Sequence, residues 1–108
     1  AATYQQYQGQ KLATRFDADC YVSLSRSMDT HNVGRGRGGV KQALKQVKAK
    51  TVVIGISTDI LFPPQEQSFL ARNIKGAYLG IVSSIYGHDA FLIETQQIAN
   101  IIKQYKLV

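Results

Sequence analysis

A short run of mostly β-branched residues, at positions 51–57, constrains the fold of this chain more than any other feature. A continuous apolar run of this length is typical of a strand that is buried on both faces, as in parallel sheets. Pro63 and Pro64 then suit the first turn of a helix that runs to about Asn73. Residues 77–83 have the composition of a second strand. Because strands joined by a helical crossover are parallel, the sequence predicts an α/β fold.

The rest of the chain is predicted to be mainly helical. Residues 1–16 have a weak helical pattern, and Asp17 is a suitable N-cap for a second helix that runs toward Asp29. Within that helix, Cys20 has no basic neighbour, so we expect a buried side chain and not a nucleophile. Two further helices have apolar residues at helical spacing: Val40, Ala43, Leu44 and Val47 in one, and Phe91, Ile98, Ile101, Ile102 and Tyr105 in the last.

Two parallel strands are too few to form a stable sheet, because both faces and both edges need cover. We therefore expect the 108 residues to be the C-terminal part of a larger α/β domain. A composition of 44% apolar and 19% charged residues argues against wholesale disorder. No apolar run is long enough for a membrane span, and no secretory signal is visible. The lone cysteine excludes an internal disulfide and favours a reducing cytoplasm.

Side chains capable of acid–base chemistry follow both predicted strands. Asp59 lies two residues beyond the first strand, and His88 lies five residues beyond the second. Functional residues of parallel sheets lie at the carboxyl ends of the strands. Because neighbouring strands lie roughly 5 Å apart, these two side chains are within reach of each other. An acid that precedes a His in this way has the chain order of a Ser…Asp…His triad. The G-x-S-x-G elbow that would supply the serine does not occur in this sequence.

Other interpretations of these residues and of the glycine-rich segment stay open. An Asp after a strand is often a loop cap, and a His near a helix start is often structural. Residues 34–39 (GRGRGG) match a dinucleotide fingerprint, but no predicted strand precedes them. They also resemble an RGG-type RNA-binding segment, although no aromatic residue is interleaved. A tight loop that caps the helix from Val40 is the simplest interpretation, and the net charge of +6 permits an anionic partner without requiring one.

Three segments resemble the C-terminal third of the homoserine O-acetyltransferases: YQGQKLATRFDADCYVSLSRSMDTHNVGRGRGG, STDILFPPQEQ and YGHDAFLIE. They occur in the order and approximate spacing of that family. The resemblance implies an α/β-hydrolase fold, with lid helices and the return to the core in residues 1–38 and a helix-strand-helix-strand-helix core in residues 39–108. It also implies that Asp59 and His88 are triad members and that Asp89 contacts the homoserine amino group.

The activity implied by the resemblance is transfer of an acetyl group from acetyl-CoA to the hydroxyl of L-homoserine, in methionine biosynthesis. No cofactor is implied beyond acetyl-CoA as co-substrate, and no metal, nucleic-acid or membrane partner. In the family the nucleophilic Ser lies upstream of the matching region, so we expect this chain alone to be inactive and to need that upstream part. A cytoplasmic homodimer is expected at full length.

The alternatives within the same fold are a serine or homoserine acyltransferase of other acyl specificity, such as succinyl transfer, and a hydrolase. A basic nucleic-acid-binding module is the alternative from a different class. One observation separates the two classes. A triad needs Asp59 and His88 within hydrogen-bonding distance, whereas a nucleic-acid-binding module does not.

Overall fold

The computed structural model describes residues 1–106, which form two compact units divided in sequence between Asn32 and Val33. The first unit is a pair of helices, and the second contains a small sheet with helices. No helix within the described residues has both the length and the apolar character needed to cross a bilayer.

The first unit consists of α1 (Ala2–Arg15) and α2 (Ala18–Asp29). The predicted N-cap is confirmed, because the Asp17 side chain accepts a hydrogen bond from the backbone N–H of Cys20 at 2.7 Å. No residue of either helix is buried. Local hydrogen bonds therefore define this unit more than packing does.

Cys20 is exposed, so the expectation of a buried side chain is wrong. The physical reason is that α1 and α2 bury no residue, which leaves this unit without an interior for the cysteine to fill. The thiol instead donates to the Asp17 carboxylate, with Sγ 3.4 Å from Oδ2. Cys20 thus belongs to the capping arrangement at the start of α2.

The second unit contains the parallel sheet. Its elements are α3 (Val40–Lys45), β1 (Val52–Ile56), α4 (Pro64–Asn73), β2 (Tyr78–Val82), a 3₁₀ turn (Gly87–Asp89), α5 (Ala90–Ile93) and α6 (Thr95–Gln104). The strands pair in parallel, with Val52 opposite Tyr78 and Ile56 opposite Val82. The predicted α/β class, with two parallel strands and flanking helices, is therefore confirmed.

Residues 34–39 form the tight loop expected before α3. Gly36, Gly38 and Gly39 have φ angles of 68°, 77° and 93°, which other residues rarely adopt. The element before this loop is the helix α2 and not a strand. The dinucleotide fingerprint is therefore excluded, because it must follow a strand directly.

A buried cluster joins the sheet to the C-terminal helices. It comprises Ile56, Val82 and Ala90, against which Ile54, Ile98 and Ile101 pack. Gly80 in β2 permits a close approach of α6, since a Cβ at this position would lie 2.6 Å from Ile101 Cγ2. Because the cluster includes the last residue of each strand, it fixes both strand ends.

Two predicted helices differ from the observed ones. Helix α3 ends at Lys45, and Val47 beyond it lies in a tighter turn closed by an i to i−3 hydrogen bond. The predicted last helix is two helices, because Glu94 leaves the helical region (φ −86°, ψ 43°). The Gln97 amide donates both to Glu94 and to the Ser83 carbonyl, which ties this break to the end of β2.

Candidate active site

The ends of the two strands bring Asp59 and His88 together. The Asp59 N–H closes a turn on the Ile56 carbonyl (3.1 Å), which keeps Asp59 close to the end of β1. His88 lies in the 3₁₀ turn that follows β2. Its Nδ1 atom is 2.8 Å from Asp59 Oδ2. The proximity expected from the strand ends is confirmed, whereas a catalytic role for the pair stays a prediction.

The two oxygens of the Asp59 carboxylate have separate partners. Oδ1 accepts hydrogen bonds from the backbone N–H groups of Leu61 (2.9 Å) and Phe62 (3.0 Å). Oδ2 binds the His88 ring, and the Asp59 side chain is only 5% exposed. The same carboxylate is therefore a loop cap through one oxygen and an imidazole partner through the other.

The ionisation of Asp59 decides which nitrogen of His88 carries the proton. The hydrogen bond from the Phe62 N–H is the largest influence on the pKa of Asp59 and lowers it; burial opposes this, and the bonds from His88 and Leu61 add to it. The pKa of Asp59 therefore lies below the usual value of 3.8. At neutral pH the carboxylate is ionised and can accept hydrogen bonds but cannot donate them. His88 Nδ1 must then be the donor, which leaves Nε2 available as a base.

Two aromatic rings flank the His88 imidazole. The ring centroids of Phe62 and Phe91 lie 5.1 Å and 5.4 Å from that of His88, and the rings are tilted by 45° and 59°. Tilted contacts at these distances are favourable for aromatic pairs. Together with the bond to Asp59, they hold an imidazole that is 37% exposed.

A cleft of about 330 Å³ opens beside the pair. It is lined by residues 54–56, Asp59, Phe62, Gln67, His88 and Phe91. Asp89 is not among the lining residues; it is exposed and makes no capping hydrogen bond to α5. Its predicted contact with a substrate amino group stays a prediction. Within residues 1–106, no group of three or more His, Cys, Asp or Glu side chains is placed to hold a metal ion.

Several residues around the pair are not predicted from the sequence. Phe91 is expected only in an apolar helical stripe, yet it contacts His88. The hydroxyls of Ser57 and Thr58 bind the Ser84 carbonyl and so join the segments that follow the two strands. The available signal was the pair of hydroxyl residues directly after each strand, at positions 57–58 and 83–84.

Several curated proteins are similar to this chain over nearly all of its length. It is 50% identical over 107 residues to a Cyclobacterium marinum protein named homoserine O-acetyltransferase. Proteins of the same name from Thermus thermophilus and Chlorobaculum tepidum are 49% and 43% identical over 104 and 106 residues. These alignments cover 95–98% of this chain, which spans only 27–30% of the length of these curated relatives. No protein-family model matches the chain.

A solved structure supports the same fold. An acetylester hydrolase from Corynebacterium glutamicum matches with a TM-score of 0.61 and 32% identity, covering 68% of this chain and 23% of that one. The two parallel strands and their flanking helices are therefore part of an α/β-hydrolase fold. As the three sequence segments predict, this chain is similar over nearly its whole length to the C-terminal portion of the homoserine O-acetyltransferases.

Proposed function

We propose that the protein containing this chain transfers an acetyl group from acetyl-CoA to the hydroxyl of L-homoserine. The supporting observation is the 2.8 Å hydrogen bond between Asp59 and His88 at the ends of two parallel strands, in a chain similar to proteins named homoserine O-acetyltransferase. A nucleic-acid-binding module needs no such pair, so the geometry favours the enzyme. The expected setting is methionine biosynthesis in the cytoplasm.

In the proposed mechanism, His88 moves protons while Asp59 holds it in place. Nε2 of His88 takes the proton of a serine hydroxyl from the upstream part of the protein, and the serine oxygen attacks the thioester carbonyl of acetyl-CoA. His88 gives that proton to the sulfur as CoA leaves. It then takes the proton of the homoserine hydroxyl, whose oxygen attacks the acetyl-enzyme, and returns it to the serine. Asp59 stabilises the imidazolium that forms in each half-reaction.

The remaining proposed contacts concern the acceptor and the assembly. Asp89 carries an exposed carboxylate one residue after His88, and we assign it to the homoserine ammonium group as a charge-assisted hydrogen bond. The mechanism uses acetyl-CoA as co-substrate and no metal or resident cofactor. At full length we expect a homodimer, with the upstream part completing the active site of this chain.

A hydrolase is the second candidate, because the Corynebacterium glutamicum structure is described as an acetylester hydrolase. The same acetyl-enzyme would form, and water would replace homoserine as the acceptor. A succinyl donor or a serine acceptor would also leave the roles of Asp59 and His88 unchanged. The acceptor and the acyl donor must therefore be varied separately.

The test uses the longer protein that contains this chain, as wild type and as His88→Asn, with His31→Asn as the matched control. Each is mixed with acetyl-CoA or succinyl-CoA, with and without L-homoserine or L-serine. CoA release is followed in time, and the products are identified by mass spectrometry. We expect a burst of CoA without acceptor, and steady release of CoA and O-acetylhomoserine with acetyl-CoA and homoserine.

The outcomes separate the candidates. The His88→Asn variant should lose both the burst and the steady rate, while His31→Asn keeps them. Acetate formation at a rate that does not depend on homoserine would identify the protein as a hydrolase. A preference for succinyl-CoA or serine would change the assigned substrates, and full activity of His88→Asn would refute the proposed base.

A further inference from the structure

Hydroxyl groups continue the pairing of the two strands beyond the backbone hydrogen bonds. The last backbone bond joins the Ser57 N–H to the Val82 carbonyl at 3.0 Å. Ser57 Oγ then donates to the Ser84 carbonyl at 3.3 Å and accepts from the Ser84 N–H at 3.2 Å. Thr58 Oγ1 donates to the same carbonyl at 2.8 Å and accepts from the Gly87 N–H at 3.0 Å. The connection therefore extends as far as Thr58 and Gly87.

Thr58 and Gly87 are the residues directly before Asp59 and His88. We propose that the Thr58 hydroxyl is a positioning group for this pair. By bridging the two loops one residue before each partner, it holds His88 Nδ1 against Asp59 Oδ2. The expected effect on rate rests on the proposed function, whereas the bridge itself is independent of the reaction.

The chemistry of a hydroxyl explains why Thr58 can do this. It has one proton to donate and lone pairs to accept, so one oxygen serves both the Ser84 carbonyl and the Gly87 N–H. Gly87 has a φ of 59°, a conformation that glycine adopts readily and other residues rarely do. A shift of about 1 Å at a reacting group costs roughly 100-fold in rate.

The variants differ from one another by single groups. Thr58→Val replaces the hydroxyl by a methyl group, and Thr58→Ser keeps the hydroxyl. Thr58→Ala differs from Thr58→Ser by one oxygen, so this pair gives the same comparison if valine disturbs folding. Thr51→Val is the matched control, because Thr51 precedes the other end of β1 and its hydroxyl donates a local hydrogen bond, to the Ala49 carbonyl.

Two measurements are independent of activity. Long-range ¹H–¹⁵N spectra of the longer protein report which ring nitrogen of His88 carries the proton. The signals of His88 and His31 are assigned from their loss in His88→Asn and His31→Asn, and His31 is an internal reference. Amide exchange of Gly87 reports the bond to Thr58. In Thr58→Val and Thr58→Ala we expect Gly87 exchange to accelerate about five- to tenfold. We also expect the Nδ1-protonated form of His88 to lose population, with His31 unchanged.

The rate measurement uses the longer protein. We expect Thr58→Val and Thr58→Ala to lower kcat roughly 10- to 100-fold with little change in KM, because the pair is misplaced and the substrate contacts remain. Thr58→Ser and Thr51→Val should stay close to wild type. Unchanged His88 spectra and an unchanged kcat in the variants without a hydroxyl would overturn the proposal. If the wild type transfers no acyl group while the His88 spectra still respond to Thr58, the bridge stands and the proposed function fails.

Discussion

Asp17 and Asp59 have the same local role in two different regions of the molecule. Each accepts hydrogen bonds from backbone N–H groups two or three residues further along the chain, and in each the pKa is lowered. Asp17 is exposed, in a unit whose helices bury no residue. Asp59 is buried, and its second oxygen binds His88, which lies 29 residues away in sequence.

The difference shows what turns a capping carboxylate into a candidate catalytic group. In the helix pair, the second oxygen of Asp17 accepts a hydrogen bond from the thiol of Cys20, three residues away, with Sγ at 3.4 Å. In the sheet unit, a buried cluster fixes the ends of both strands, so the second oxygen of Asp59 meets an imidazole from another element. Long-range packing supplies the partner that local structure cannot.

The substitution Asp59→Asn in the longer protein is the most severe test of this contrast. The asparagine oxygen can still accept the two backbone N–H bonds, so the loop is retained. Its NH₂ group would donate to His88 Nδ1 and drive the ring proton to Nε2, which then cannot act as a base. In a steady-state assay of CoA release, we expect Asp59→Asn to lower kcat on the order of 10⁴-fold. The control variant Asp17→Asn should have the kcat of the wild type. Equal rates for the two variants would show that the difference between the aspartates has no catalytic meaning.

Asp89 extends the comparison, because it is exposed like Asp17 but adjoins His88. If it binds the homoserine ammonium group, Asp89→Asn should lower kcat/KM for homoserine roughly 10- to 100-fold. The CoA burst without acceptor should be almost unaffected, since that half-reaction does not involve homoserine. Equal losses in both half-reactions would mean that Asp89 supports His88 itself, and the assigned contact would be wrong.

The same contrast explains which features the sequence could predict. The Asp17 cap follows from residue type and spacing, and the strands at 51–57 and 77–83 follow from short runs of mostly apolar residues, because these are local signals. The Asp59–His88 contact follows from topology, since adjacent parallel strands have a fixed spacing. The break at Glu94 and the contact of Phe91 with His88 depend on side chains from other elements, and no local pattern specifies those.

Substitutions at two glycines test whether the sheet unit depends on close packing and the helix pair does not. In β2, a Cβ at Gly80 would meet Ile101 Cγ2 at 2.6 Å, so Gly80→Ala should destabilise the sheet unit by about 1–3 kcal/mol through overpacking. In α1, a Cβ at Gly9 would meet nothing within 4 Å, so Gly9→Ala should stabilise that helix by about 0.5–1 kcal/mol. Urea unfolding followed by amide spectra measures each unit separately. Effects of the same sign in both units would refute the view that only the sheet unit depends on packing.

The smallest expected effect is the response of the two aspartates to acid. Because each has a pKa below the usual 3.8, each binds its proton more readily in the unfolded chain than in the folded one. Their contributions to stability are therefore fully present above that usual pKa and are lost as the pH falls through the lowered one. The amide protons of Cys20 and Phe62, which bond to Asp17 and Asp59, should report the two titrations with midpoints below 3.8. In Asp59→Asn the titration of the Phe62 amide should disappear, while that of the Cys20 amide remains. The stability of the sheet unit should also fall less steeply as the pH is lowered. If the pH dependence of stability is unchanged in this variant, groups other than Asp59 control it.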